Sequence, residues 1–390
     1  MLNATKDRPL ATTITGSIPR PSWYVQNLRG RPFRDAIGDS VFREQYLDTV
    51  SSYLRDQERA GLDVVTDGDC RFDVDVGGMS WFLYPAQRLE GLEGGDHGSS
   101  SGYGVGRGSI IFEALESRSM PRCVGKIGRG TLQYADVWKS AQEMTDRPVK
   151  FGTITPEVLG LSIGNDFYPS HEELIRDLSD AVREELDDLA RAGCPVIQLE
   201  EPNIHLASVR RRTGVAELDI DFFVDVFNNT VKGLREQTEV WCHTCWGNAA
   251  QQRLFAENQS YEQALENLNR LDVDVLTFEC ASTGGIDLEA IGKTIDPATK
   301  IAVGVIDHRN LQVEAPDRVA AILRRALEHI PPERLVVSSD CGFGREGMSR
   351  RIAFYKMVAI VQGTNIVRAE LGLPEAECRA ADPRFVLGSD

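Results

Sequence analysis

The sequence predicts an α/β protein folded as a TIM (β/α)8 barrel. Eight short segments rich in β-branched and other apolar residues recur along the 390-residue chain, and amphipathic helical patterns separate them. Such alternation is typical of parallel strands joined by right-handed helical crossovers. Eight units of this kind close into one barrel, which commonly takes ~250 or more residues. We therefore expect a single barrel domain over residues 1–390.

The predicted elements follow this alternation in chain order. The helical pattern is well developed at residues 171–193, where Leu and Ala recur at i, i+3 and i+4 and Gly193 marks the end. The eight strands are predicted at residues 9–18, 61–69, 149–156, 195–202, 239–247, 273–280, 300–307 and 335–342.

One stretch, residues 70–148, breaks the alternation and is interpreted as a long insertion after strand 2. It contains the Gly- and Ser-rich run GLEGGDHGSSSGYGVGRG at residues 91–108. Long loops within compact domains are commonly functional or disordered. We therefore expect a mobile loop that can cover the barrel mouth.

Composition excludes several classes of protein. The chain carries 43 Lys and Arg against 59 Asp and Glu, a formal charge of −16, and no basic stripe interleaved with aromatic residues, so nucleic acid is not an expected partner. No apolar run reaches the ~18–20 residues of a membrane span, and the polar start lacks a signal-peptide layout, so we expect a cytoplasmic protein. The eight cysteines are too scattered for a disulfide framework.

Four residues at the ends of predicted strands form a candidate zinc site. Polar turn residues occur at strand ends without any function, so the residue types matter more than their polarity. His243 and Cys245 stand two apart on strand 5 and share a face. Glu279 and Cys341 enter from the ends of strands 6 and 8. One imidazole, two thiolates and one carboxylate suit zinc.

Seven motifs carry a family resemblance that covers almost the whole chain. In order, they are GSIPRP, GLDVVTDGD, QLEEP, CHTCWGN, LTFEC, GVIDHRN and SSDCGFG. They resemble those of the catalytic C-terminal barrel of cobalamin-independent methionine synthase, a superfamily that also includes epoxyalkane:coenzyme M transferases. The resemblance implies that His243, Cys245, Glu279 and Cys341 bind a zinc ion that takes the homocysteine thiol as a thiolate.

Elementary chemistry agrees with this implication. A thiol with a pKa near 8.5 is mostly protonated at pH 7, and coordination to zinc deprotonates it and keeps it available to attack an electrophilic carbon. A hard carboxylate yields its place to an incoming sulfur more readily than a thiolate does. Glu279 is therefore a candidate displaceable ligand.

The resemblance also implies a substrate site. The backbone around Gly16 and Ser17 would hold the amino acid carboxylate, and Asp69 and Glu200 would meet its ammonium group. The family pattern has Glu where this chain has Asp69 and Asp where it has Glu200, so the anchored group can differ. The alternative for these carboxylates is an ion pair with arginines at the barrel mouth.

Asp307 and His308 follow strand 7, where the family carries an Asp and a nearby His that assist proton transfer to the departing group. One residue separates the two in the family, whereas this chain reads GVIDHRN, so either Asp307 or His308 could be the acid. A His with a pKa near 6.5 suits this role, although a lone His is commonly a hydrogen-bonded structural residue.

The expected function is zinc-dependent methyl transfer to homocysteine, giving methionine. Full-length members carry a second, N-terminal barrel, and this chain begins directly with the catalytic one. The alkyl donor therefore stays open between a methylfolate, methylcobalamin or a corrinoid protein, and an epoxide. The alternatives are an epoxyalkane:thiol transferase, a metal-free uroporphyrinogen decarboxylase-like enzyme and a non-catalytic corrinoid-binding protein. The oligomeric state is not predicted.

Overall fold

The computed structural model describes residues 4–28, 30–71, 80–94, 121–213, 219–246, 259–344 and 348–381. Over these residues an eight-stranded parallel sheet forms the centre of the molecule. Each of the eight predicted strand segments contains one of its strands. The strands are β1 (Ala11–Thr12), β2 (Val65–Thr66), β5 (Val149–Ile154), β7 (Val196–Glu200), β8 (Glu239–His243), β9 (Val275–Phe278), β10 (Lys300–Ile306) and β11 (Leu335–Ser339).

The sheet curls into a barrel. Its strand order is β1-β11-β10-β9-β8-β7-β5-β2, which follows the chain apart from the position of β1. The two edge strands approach each other, since the backbone N–H groups of Asp63 and Val64 both donate to the carbonyl of Thr12, at 3.0 Å. The predicted α/β barrel is therefore confirmed.

Helices cover the outside of the barrel. The helix His171–Arg191 begins at Ser170, whose side chain accepts from the backbone N–H of Glu173, and it buries leucines such as Leu178 and Leu186. The helices are Phe33–Gly38, Ser40–Ala60, Ser80–Ala86, Tyr134–Gln142, Pro156–Ser162, His171–Arg191, Asn203–Thr213, Ile220–Val231, Leu265–Leu268, Leu288–Thr294, Pro316–Leu327 and Arg350–Glu370, with 3-10 turns at Leu234–Glu236, Pro332–Arg334 and Arg379–Ala381.

The stretch predicted as an insertion contains two strands of a small second sheet, whose third strand follows β5. Strand β3 (Glu90–Glu93) pairs antiparallel with β4 (Arg122–Gly128), which pairs parallel with β6 (Gly164–Asn165). The helix Tyr134–Gln142 packs on the barrel, because Trp138 Nε1 donates to the carbonyl of Val149 at 3.0 Å. Of the Gly-rich run predicted as a mobile lid, residues 95–108 lie outside the described residues.

Side chains inside the barrel change from apolar to polar along the strands. A buried layer near the strand starts contains Val196 on β7, Trp241 on β8 and Val275 on β9. Because side chains alternate along a strand, the next inward positions toward the carboxyl ends are Gln198, His243 and Thr277. The following inward positions are Glu200 and Glu279. This gradient places the polar groups at the carboxyl-terminal mouth.

Candidate metal and active site

Three of the four predicted ligands meet at the barrel mouth. One ligand atom from each of His243, Cys245 and Cys341 lies within 4.8 Å of the others. His243 is the last residue of β8, and Cys341 stands two residues after β11. Because β9 and β10 separate these strands in the sheet, it is the curvature of the barrel that brings the side chains together.

The orientation of His243 fits a metal ligand. Its Nδ1 atom lies 2.7 Å from Thr277 Oγ1, and its Nε2 atom is buried without a hydrogen bond in the part of the chain that the structure describes. Metal-bound histidines ordinarily donate from the second ring nitrogen to a neighbouring oxygen, which fixes tautomer and ring orientation. One imidazole and two thiols form a donor set typical of zinc. These residues therefore fit a zinc ion bound through Nε2.

The surroundings of His243 favour positive charge. Burial alone opposes protonation of the imidazole, but the negative charge of Glu200 is the main opposing effect, and the pKa of His243 is raised to about 9. Glu200 Oε2 lies 3.6 Å from His243 Nε2. The same negative field would attract a bound cation.

The backbone of Cys245 is held by a buried histidine. His205 Nε2 lies 2.8 Å from the carbonyl of Cys245, and its ring contacts the rings of Trp246 and Tyr261, with centroids 4.9 and 5.3 Å apart. Burial lowers the pKa of His205 to about 3, so the ring is neutral and its Nε2–H donates to the carbonyl. This contact fixes the segment that carries the cysteine.

Glu279, the fourth predicted ligand, lies outside this three-residue group. Its carboxylate forms a bidentate ion pair with Arg309. The NH1 atom of Arg309 donates to Oε2 at 2.8 Å, and the NH2 atom donates to Oε1 at 3.0 Å. Both side chains are buried, at 7% and 0% exposure. Although burial alone would lower the pKa of Arg309, the bond to Glu279 raises it, so the guanidinium keeps its charge. The planar fork of an arginine matches a carboxylate.

Gly16 and Asp69, two of the predicted substrate residues, are in contact. A Cβ on Gly16 would stand 2.8 Å from Asp69 Oδ2, so a larger residue here would have to displace this carboxylate. Arg71 NH1 donates to Asp69 Oδ1 at 3.0 Å. This ion pair with an arginine at the barrel mouth is the alternative role that the sequence analysis gives for Asp69. Burial raises the pKa of Asp69 to about 7 despite the charge of Arg71.

Ser17 joins the loop after β1 to the loop after β11. Its Oγ accepts from the backbone N–H of Gly344 at 3.1 Å, and its carbonyl accepts from the N–H of Phe343 at 2.9 Å. Cys341 lies two residues before Phe343. Ser17 thus helps to position the segment that carries a predicted metal ligand.

Glu200 lies next to a buried lysine network. Gln198 Nε2 donates to Glu200 Oε1 at 2.6 Å, and Lys150 Nζ donates to Gln198 Oε1 at 2.7 Å and to the carbonyl of Ile14 at 2.8 Å. Burial lowers the pKa of Lys150 to about 7, although the charges of Glu200 and Asp69 raise it. The charges of the two predicted substrate carboxylates therefore both act on Lys150.

Asp307 and His308 form a second group with Asp340. One ligand-type atom from each lies within 4.8 Å of the others. Asp307 is partly exposed, whereas His308 is buried. Asp340 accepts backbone N–H bonds from Cys280, Ala281 and Ser282 at 2.7–3.0 Å, so it holds the loop after Glu279.

Comparison with known proteins decides the family. The family model described as "Cobalamin-independent synthase, Catalytic domain" matches residues 101–362. The chain belongs to this family. Membership confirms the resemblance that the seven motifs carry. Among the residues that the structure describes, no helix is long and apolar enough to cross a membrane.

Relatives of similar length support this assignment. A protein from Saccharolobus islandicus named methionine synthase is 30% identical over 363 residues, which cover 93% of this chain and 96% of the relative. The fold is similar to a B12-independent methionine synthase from Shewanella sp. W3-18-1 in complex with selenomethionine, with a TM-score of 0.70 and 23% identity over 93% of this chain and 99% of that one. A methyltransferase from Methanosarcina mazei has a TM-score of 0.52 and 14% identity over 92% and 96%.

Three side chains that hold predicted site residues of this family member, Thr277, Arg309 and His205, are not among the sequence-predicted site residues. Thr277 stands two positions before Glu279 and directly beside His243 in the parallel register of β8 and β9, so strand alternation could have placed it inside. Arg309 directly follows His308 in the motif GVIDHRN, but no spacing rule links it to Glu279. His205 follows the motif QLEEP, and only the fold brings it to Cys245.

Proposed function

We propose that this family member is a zinc-dependent methyltransferase that methylates the thiol of homocysteine and gives methionine. The observation that carries the proposal is the meeting of His243, Cys245 and Cys341 at the barrel mouth, with His243 Nε2 buried and without a hydrogen-bond partner among the described residues. Relatives named methionine synthase support the reaction.

His243, Cys245 and Cys341 would hold the metal. Zinc bound there would supply the positive charge that favours the deprotonated, nucleophilic form of a thiol substrate. Thr277 would keep the His243 ring in the tautomer that leaves Nε2 free for the metal. His205 would keep Cys245 at the mouth through its backbone carbonyl.

Gly16, Ser17, Asp69 and Glu200 would anchor the amino acid part of the substrate. Asp69 and Glu200 keep 14% and 19% exposure of their side chains, so an ammonium group can reach both. Gly16 leaves the space that Asp69 occupies. The carboxylates would therefore bind the ammonium group and orient the thiol toward the metal ligands.

Asp307 and His308 would provide the proton for the departing group of the donor. His308 is buried at 3% exposure and Asp307 is partly exposed at the same edge of the barrel. A positioned imidazole or carboxyl group at this edge can act as a general acid. Either residue could fill the role.

The partners would be small molecules, and nucleic acid would be excluded by the charge of −16. The proposed donor is a methylfolate, methylcobalamin or a corrinoid protein. The relative from Saccharolobus islandicus, which carries the name methionine synthase, is covered over 96% of its length by this chain. The name of this relative favours methyl transfer over the opening of an epoxide. Residues 1–390 would form one catalytic barrel domain, with 70–148 as an insertion, and would act in the cytoplasm.

X-ray absorption at the zinc edge tests this proposal. The purified protein should show two sulfur neighbours, and addition of homocysteine should raise the number to three. Cys341→Ala should lose most bound zinc and all methylation of homocysteine, whereas the matched variant Cys378→Ala should keep both. Two sulfurs before and after homocysteine would instead indicate another thiol. Absence of zinc from the active protein would overturn the metal-dependent mechanism.

A further inference from the structure

Each carboxylate oxygen of Glu279 accepts two hydrogen bonds in this structure. Among the described residues, Oε1 accepts from the backbone N–H of Trp246 and from Arg309 NH2, both at 3.0 Å. Oε2 accepts from Ser282 Oγ at 3.0 Å and from Arg309 NH1 at 2.8 Å. An ionised carboxylate offers about four lone-pair positions, and these donors occupy them. A metal ion can gain this ligand only if a donor leaves.

Arg309 is the donor whose departure would free both carboxylate oxygens without moving the backbone. The bond from Trp246 comes from the main chain one residue after Cys245, so breaking it would move a predicted metal ligand. Ser282 donates one bond through its Oγ, so rotation of this hydroxyl would open only one position and would leave the ion pair with Arg309 in place. Arg309 reaches Glu279 with a long side chain, and its departure would open one position on each carboxylate oxygen.

A metal ion and the Arg309 guanidinium would also compete electrostatically for the negative charge of Glu279. Glu279 is fully buried, and a buried carboxylate is costly without a positive partner. The guanidinium supplies that partner in the present arrangement. A dication bound by His243, Cys245 and Cys341 would supply a second one nearby. Either Arg309 or the metal ion could therefore balance the negative charge of the Glu279 carboxylate.

We propose that Arg309 is a positioning residue that competes with the metal for the carboxylate of Glu279. This inference rests on the metal site of the proposed function. With the carboxylate paired to Arg309, His243, Cys245 and Cys341 alone would hold the metal, which would leave a position for the substrate thiol. If Arg309 released the carboxylate, Glu279 would be available as a fourth ligand. The ion pair thus sets how readily the substrate position opens.

Zinc affinity of the whole protein, measured by competition with a chelator in the absence of substrate, tests this competition. Arg309→Met should bind zinc at least about tenfold more tightly than the wild type, since neighbours that orient ligands commonly change metal affinity ~10–100-fold. Arg309→Lys, which keeps the charge but cannot bond both oxygens, should fall between the two. Arg318→Met removes an exposed arginine and should leave the affinity unchanged.

A second pair of variants separates ligation from simple charge. Loss of a cation near the site could itself strengthen zinc binding, and that effect would persist without a carboxylate. The gain from Arg309→Met should therefore vanish in the Glu279→Gln background.

Two results would overturn the inference. One is a folded Arg309→Met or Arg309→Lys variant with wild-type or weaker zinc affinity. The other is a gain in affinity that survives Glu279→Gln. If the wild type binds no zinc, or if Cys341→Ala binds as much zinc as the wild type, the proposed function itself fails. That result differs from both results above, so failure of the inference and failure of the proposed function can be told apart. Circular dichroism checks the fold, and Arg309→Lys keeps the test available if Arg309→Met does not fold.

Discussion

His243 and Thr277 are paired residues of the neighbouring parallel strands β8 and β9, and His243 Nδ1 lies 2.7 Å from Thr277 Oγ1. The two side chains share the inner face of the barrel, so the strand register itself sets this contact. With the hydroxyl on Nδ1, the Nε2 atom is left for a metal ion that Cys245 and Cys341 would also bind. The register of two strands thus orients a ligand that comes from only one of them.

Thr277→Val should weaken zinc binding by about 10–100-fold, because valine keeps the shape of threonine but gives Nδ1–H no acceptor. The measurement is chelator competition on the folded variant. Thr364→Val is the matched control, since Thr364 is also fully buried and donates to a helix carbonyl, that of Ile360, at 2.7 Å. Equal affinities for zinc in the wild type and Thr277→Val would show that the hydroxyl does not orient the ligand.

Gly16→Ala should raise KM for homocysteine about tenfold, because the new Cβ would stand 2.8 Å from Asp69 Oδ2 and must displace that carboxylate. Overpacking of this kind costs about 1–3 kcal/mol, and 1.4 kcal/mol is tenfold in affinity. Zinc content should not change, because Asp69 is not among the grouped ligands.

Steady-state kinetics and a zinc assay on the same sample check this prediction. Gly38→Ala serves as the control, since a Cβ there would meet nothing within 4 Å. An unchanged KM in Gly16→Ala would remove Asp69 from the substrate site. Loss of zinc would instead mean that the change spreads from the loop after β1 to Cys341 through Ser17.

The barrel could be predicted from the sequence because each strand carries its own signal. Runs such as VVSS of β11 and VGVI of β10 are short, β-branched and bounded by turns, and parallel pairing follows from the helices between them. Three metal-ligand candidates could be predicted for a related reason. Strand ends of a closed parallel sheet meet at one mouth, whatever their distance along the chain.

The remaining site features depend on side-chain partners that spacing does not encode. Glu279 stands at the predicted strand end, yet its oxygens are taken by Arg309 from the loop after β10. The resemblance implies that the backbone around Gly16 and Ser17 holds substrate, but it does not indicate that Ser17 Oγ accepts from Gly344 in a distant loop. Such pairings arise only once the loops are packed in three dimensions. Residue types indicate the chemistry, and packing decides which atoms are available for it.

His308→Asn and Asp307→Asn should separate the two candidate acids. Removal of the general acid lowers the rate about 100–10,000-fold, so the variant of the acid should lose kcat by such a factor while KM for homocysteine stays near the wild-type value. The other variant should lose much less. Single-turnover rates with a methyl donor measure the difference. Similar small losses in both variants would mean that neither residue delivers the proton.

The last prediction concerns stability and pH. Burial lowers the pKa of Lys150 from 10.5 to about 7 in the folded protein, whereas the unfolded chain keeps the lysine proton up to a pKa of ~10.4. Between these values the unfolded state binds more protons, so the unfolding free energy rises with pH through this window. The stability gained is lost again as the pH falls toward 7.

Lys150→Met should remove this dependence. Between pH 7.5 and 9.5, the unfolding free energy of the wild type should rise relative to Lys150→Met by up to about 1.4 kcal/mol per pH unit. Urea unfolding at both pH values measures the difference, and the exposed Lys139→Met variant should follow the wild type. Parallel curves for the wild type and Lys150→Met would show that Lys150 holds its proton in the folded barrel. In that case the carboxylates of Asp69 and Glu200 stabilise its charge more strongly than burial opposes it.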